Sequence, residues 1–137
     1  MHRFAIRVYY EDTDLAGIVY YANYLRFIER ARTEWLREIG VDQTVLKAEA
    51  GVVFVVRHVD ADYLRPAHFD DLLTVESRLC ELGNARVVMD QVVMRGEERL
   101  FASRVTLVCV GANGRATRMP EGVAQLLQQP RAGADKA

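Results

Sequence analysis

One long helical period, set in a chain otherwise patterned for strands, limits most sharply what this sequence can become. Tyr24, Phe27, Ile28, Ala31, Trp35 and Ile39 recur at steps of three or four and line one helical face, flanked by Leu25 and Leu36. Arg26, Glu29, Arg30, Glu34 and Arg37 take the opposite side, with Arg30 and Glu34 one turn apart. Asn23 is a good N-cap and Gly40 a good C-terminal stop, so the period predicts about sixteen helical residues. Each fully buried apolar side chain on that face contributes about 1.5 to 3 kcal/mol. Such a helix needs a sheet to lie against.

The sheet is legible on both sides of it. Phe4 to Tyr10 is aromatic and β-branched, with Phe4, Ile6 and Val8 alternating against Ala5, Arg7 and Tyr9, and reads as a first strand. After a short helix predicted from Asp42 toward Ala50 and stopped at Gly51, four strand candidates follow: Val52 to Tyr63, Leu72 to Leu82, Arg86 to Arg95, and Leu100 to Val110. Leu73, Val75 and Leu79 alternate with Thr74, Glu76 and Arg78, as in a strand with one buried face. Gly83-Asn84 and Gly96-Glu97 supply hairpin turns, and Arg65-Pro66-Ala67 breaks the chain before the third strand. Pro120 to Gln128 can close the chain as a helical turn. The layout is α+β: an antiparallel sheet of about five strands, in consecutive order, curled around one long helix.

Composition excludes several functions. The 137 residues fit one domain, expected over 1–129 with a frayed tail over 130–137. The formal net charge of -1, with basic residues scattered, gives no footprint for nucleic acid. No stretch approaches the ~20 apolar residues of a membrane span, and no leader-like apolar region follows Met1-His2-Arg3-Phe4, so the expected location is the cytoplasm. Cys80 and Cys109 are distant, lie in apolar strand-like runs and are expected to be reduced core residues. His58 and His68 lack the convergent ligands of a metal site, and no metal is expected.

Chemistry is expected in the polar turn after the first strand, Glu11-Asp12-Thr13-Asp14 and Gly17, because loops on a rigid scaffold commonly carry function. The stretch Tyr9 to Glu38, YYEDTDLAGIVYYANYLRFIERARTEWLRE, resembles the signature of the hot-dog-fold thioesterases of the hydroxybenzoyl-CoA type, and more closely their Tol-Pal-associated branch. Phe54-Val55-Val56-Arg57, Pro66-Ala67 and Asp70-Asp71 are also similar to that branch.

The resemblance implies an acyl-CoA thioesterase with no cofactor, coenzyme A being part of the substrate. It maps the reacting carboxylate to Asp14, as general base or nucleophile, with Gly17 shaping the loop and Tyr10 in a supporting role. The oxyanion donor maps to the backbone amide of Tyr21, near the positive end of the helix. Val19 and Asn23 are the matching substrate-side positions. Arg57 and Arg65 are candidate CoA-phosphate contacts. The Tol-Pal branch usually carries histidine at the position of Tyr21. Tyrosine cannot titrate near neutrality as histidine does, which argues against a histidine-assisted mechanism here. The resemblance also implies a homodimer or dimer of dimers, with Val52 to Val59 and Tyr63 to Pro66 forming the partner's wall of the pocket. Acyl carrier protein is a conceivable partner. The alternative is a non-catalytic hot-dog scaffold that holds acyl groups or partners in envelope or phospholipid metabolism. A hot-dog hydratase would need histidine where this chain has Val19.

Overall fold

The computed structural model describes residues 1–128. The long helical period forms α1, Asn23–Glu38, and the strand periods form β1 (His2–Arg7), β2 (Val53–Tyr63), β3 (Leu72–Leu82), β4 (Arg86–Arg95) and β5 (Glu98–Val110). Two short helices complete the fold, α2 (Gln43–Ala50) and α3 (Glu121–Gln128). The Asp42 carboxylate caps α2 through the Thr44 and Val45 amides, and Gly51 ends it in the left-handed region, at φ 67°. The tail expected over 130–137 lies outside the described residues. Among those described, no helix is long and apolar enough to cross a membrane.

All strand pairs are antiparallel, but the sheet order is β1-β3-β4-β5-β2 rather than consecutive. Tight turns join β3 to β4 and β4 to β5 as a meander. β1 takes the free side of β3, and the free side of β5 goes to β2. Its last residue, Tyr63, lies opposite Phe101, and the connection after it then runs back across the end of the sheet. There the Ala67 carbonyl accepts the Val19 N–H at 2.8 Å and the Asp70 N–H donates to the Val8 carbonyl at 2.9 Å. The first strand is also displaced from its expected span: it starts at His2 and stops at Arg7, because the Asp12 carboxylate takes the Tyr9 N–H at 2.8 Å and Tyr10–Asp12 tightens into a 3-10 turn.

The core lies between α1 and the concave face of the sheet. Phe27, Ile28 and Ala31 meet a floor that includes Leu73, Val75, Met89, Val93, Phe101 and Val105, all essentially without exposure. Trp35 is only partly buried, while Leu36 takes a fully interior place.

A polar seam crosses this apolar layer. Ser77, Gln91 and Ser103 are cross-strand partners, all buried. The Gln91 amide donates to the Ile28 carbonyl and to Ser77 Oγ, both at 2.9 Å, and accepts from Arg32 Nη1 at 2.8 Å. Ser103 Oγ donates to the Gln91 carbonyl at 2.7 Å. Burial pulls the Arg32 pKa below its ordinary value, with Glu29 acting in the opposite sense.

The cysteines differ from each other. Cys109 is buried as expected, but Cys80 is exposed. Cys80 follows the inward Ser77 and Leu79 on the opposite parity and so falls on the outer face, its sulfur 3.9 Å from Arg104 Nη2, with the β3–β4 register shifting beside it between Leu79 and Glu81.

Candidate active site

The segment between β1 and α1 folds as a narrow hairpin of its own. Thr13 bridges Val19, the Asp14 N–H donates to the Ile18 carbonyl at 2.9 Å, and the Tyr20 N–H donates to the Asp12 carbonyl at 2.9 Å. Gly17 sits at the tip with φ 81°, a left-handed conformation that glycine adopts without steric cost. Its N–H closes the turn onto the Asp14 carbonyl at 3.0 Å.

The two aspartates divide the work. Asp12 holds the hairpin's base: beyond its bonds to Tyr9 and Tyr20, its carbonyl also accepts Asn23 Nδ2 at 2.9 Å. Asp14 lies exposed near the tip, where Oδ1 accepts the Ala16 N–H at 2.9 Å. Among the described residues, Oδ2 takes no hydrogen bond and remains open for chemistry.

Where the hairpin enters α1, the Tyr20 carbonyl accepts the Asn23 N–H at 2.8 Å and the Ala22 carbonyl accepts the Leu25 N–H at 3.1 Å. Among the described residues, none accepts the Tyr21 N–H. The Tyr21 carbonyl is held from the other side by Tyr63 Oη, at 3.0 Å. The Tyr21 ring is exposed, with Tyr20 tilted against it at 5.0 Å between centroids and Tyr63 edge-on at 6.0 Å.

Three sequence expectations change here. Asn23 is not the N-cap: Ala22 holds that position, and the Asn23 side chain tethers the loop through Asp12. Val19, read as a substrate-side position, is 3 % exposed and packs in the core. Tyr10 lies on the 3-10 turn rather than in the strand, exposed, with its ring edge-on to Phe69 at 6.3 Å.

Among the described residues, neither Arg57 nor Arg65 bonds Asp14. Arg57 occupies a bulge, where β2 register shifts between Val56 and His58, roughly 20 Å along the strand from Tyr63 at about 3.3 Å per residue. Arg65 donates to Glu98 at 3.2 Å. Glu98 also holds Arg95, and Arg95 reaches the Asp71 carboxylate at 2.7 Å, so this ion-pair chain ties the returning connection to the β4–β5 hairpin. Burial opposes ionisation of Asp71, but the His68 N–H and the Arg95 guanidinium outweigh it and leave the carboxyl below its ordinary pKa. Among the described residues, no group of three or more His, Cys, Asp or Glu side chains could hold a metal. His58 lies 3.6 Å from Asp60, and His68 lies 3.9 Å from Asp71.

Tyr63 was expected only in the partner's wall of the pocket, not against Tyr21 of its own chain, and Arg32 escaped the sequence reading as a core residue. Arg32 is one helical turn from both Ile28 and Leu36, a spacing that places it on the buried face.

A narrow hairpin with a free carboxylate oxygen leads directly into a long helix covered by an antiparallel sheet, the layout that the resemblance to hot-dog thioesterases implied. Residues 16–102 match the thioesterase superfamily known as 4HBT. The chain is 45% identical over 107 residues to the acyl-CoA thioesterase YbgC of Haemophilus influenzae, covering 78% of this chain and 79% of that protein. It is 41% identical over 111 residues to the acyl-CoA thioester hydrolase YbgC of Escherichia coli O157:H7, covering 80% and 82%. The crystal structure of a probable thioesterase from Bartonella henselae superposes with a TM-score of 0.83 at 41% identity, covering 87% of this chain and 98% of that one. This chain belongs to the thioesterase superfamily.

Proposed function

We propose that this protein is an acyl-CoA thioesterase that hydrolyses its substrate to a free carboxylic acid and coenzyme A, with Asp14 as general base and the Tyr21 N–H as an oxyanion donor. The observation that carries the reading is the hairpin: it presents an open carboxylate oxygen and an unengaged backbone donor on one rigid segment of a thioesterase-family chain. The similarity to two acyl-CoA hydrolases over most of their length supports the substrate class.

The chemistry asks little more. Asp14 Oδ2 takes a proton from water as the water oxygen attacks the thioester carbonyl. The carbonyl oxygen becomes an alkoxide facing the Tyr21 N–H, and collapse of the adduct expels the CoA thiolate. A thiol with a pKa of about 8.5 leaves as thiolate near neutrality without a strong general acid. One oxyanion donor lowers such a barrier by ~3 kcal/mol. The active unit in this reading is a homodimer or a dimer of dimers.

The test is thiol release from a panel of short, medium, long and aromatic acyl-CoAs. Wild type is expected to hydrolyse members of the panel. Asp14→Asn is expected to lose at least ~100-fold in turnover at unchanged circular dichroism, and Asp12→Asn much less, since an amide oxygen still accepts the Tyr9 N–H. No hydrolysis across the panel, or near-normal turnover by Asp14→Asn, refutes the reading. Heavy oxygen carried from labelled water into Asp14 would make it the nucleophile instead of the base.

A further inference from the structure

We propose that Tyr63 is a positioning residue for hydrolysis: its phenol clamps the Tyr21 carbonyl and thereby fixes the backbone donors at the entrance to α1. The inference rests on the thioesterase reading above and extends it to a residue on a different element.

The geometry is specific. Tyr63 is the last residue of β2, and its Oη donates to the Tyr21 carbonyl at 3.0 Å. That carbonyl precedes the helix and is not used by it, since the Leu25 N–H goes to Ala22 instead. In a trans peptide the C=O and the following N–H point in opposite directions within one plane. Holding the Tyr21 oxygen therefore holds the Ala22 N–H facing away from Tyr63. It also restrains the torsions on which the Tyr21 N–H direction depends. Neither N–H donates to a described backbone acceptor. Preorganised donors of this kind stabilise developing charge because they need not reorient during reaction.

Tyr63 is 48 % exposed, but one side of its ring is seated on the core. The ring packs edge-on to Tyr24 at 5.6 Å and to Phe101 at 5.1 Å, and those two rings stack on each other at 5.0 Å. Phe101 has no exposure and Tyr24 has 3 %, and the Tyr24 hydroxyl accepts the Ala67 N–H at 3.2 Å. This contact with buried rings limits how far the phenol can follow a drifting carbonyl. Burial and the nearby Tyr21 push the Tyr63 pKa up, which keeps the hydroxyl protonated as a donor throughout the neutral range.

Tyr63→Phe tests this, because it keeps the ring packing and deletes only the donor. The loss of one neutral hydrogen bond that acts on a transition-state donor is expected to lower kcat about tenfold with KM changed less than twofold. The backbone order parameters of the Tyr21 and Ala22 N–H groups, read by NMR relaxation, are expected to fall, while those of residues 28–36 keep their wild-type values. Wild-type kcat, an effect confined to KM, or unchanged order parameters at both groups overturns the proposal. A fall along all of α1 also overturns it, by making Tyr63 a general structural residue. The relaxation measurement does not depend on turnover, so a wild type without hydrolase activity defeats the thioesterase reading while relaxation still decides the role of Tyr63.

Discussion

At the scale of single residues, the segment between β1 and α1 is a set of backbone groups held by side chains. Asp12 fixes the base of the hairpin, Asn23 ties that base to α1, and Tyr63 holds the Tyr21 carbonyl. The Tyr21 ring, by contrast, is 61% exposed and its hydroxyl has no partner among the described residues. Tyr21→Phe is therefore expected to retain turnover within a few-fold of wild type. Tyr21→Pro deletes the N–H and is expected to lose far more. Steady-state rates of the two variants, each first checked for an unchanged circular dichroism spectrum, decide between backbone and phenol. Equal damage from both would assign the role to the phenol. The polar turn that carries Asp14 between β1 and α1 was readable from the sequence alone. The clamp was not, because a tyrosine at the end of a strand carries no mark in sequence of what its hydroxyl meets.

At the scale of elements, α1 and the sheet are joined by a polar seam inside an otherwise apolar contact. Gln91 bonds the Ile28 carbonyl, Ser77 and Arg32 at once, so it fixes how α1 sits along β4. Removing one member strands the others in a dry layer. Gln91→Leu is expected to cost about 2 to 4 kcal/mol in unfolding free energy, because it leaves the Arg32 guanidinium buried without its acceptor. The double variant Arg32→Met with Gln91→Leu is expected to regain part of that loss, a positive coupling measurable by urea denaturation; strict additivity would show that the pair is not linked. The elements themselves were largely legible. The bounds of β3 and β4 follow from alternation and glycine-containing turns, and the length of α1 follows from its apolar stripe. What local pattern could not give was partner choice. Consecutive strands usually neighbour each other, yet β2 lies beside β5, with β3 and β1 on the far side of the sheet. The bulge between Leu79 and Glu81 and the side-chain tether at Asn23 likewise arise from pairing between distant segments.

At the scale of the whole molecule, the sheet order leaves β1 and β2 as edges, and the two are unlike. β1 has six residues, while β2 has eleven and exposes Val55 and Val56. A long edge with exposed β-branched residues and a free row of backbone groups favours pairing with another strand. The expected assembly pairs β2 of one protomer with β2 of its partner, extending the sheet across both chains. Arg57, which lies far along β2 from its own hairpin, is then available to the partner's site, where its guanidinium can meet the phosphates of coenzyme A. Light scattering at micromolar concentration is expected to give twice or four times the mass of one chain, and a stable, fully active monomer would overturn the assembly. The sharing of sites has its own measurement. Asp14→Asn subunits mixed with Arg57→Ala subunits yield heterodimers in which both lesions fall in one site and the other is intact. Activity recovered on mixing, up to about half that of wild type per heterodimer, is the expected result, and a mixture no more active than its two components would place Arg57 outside the partner's site.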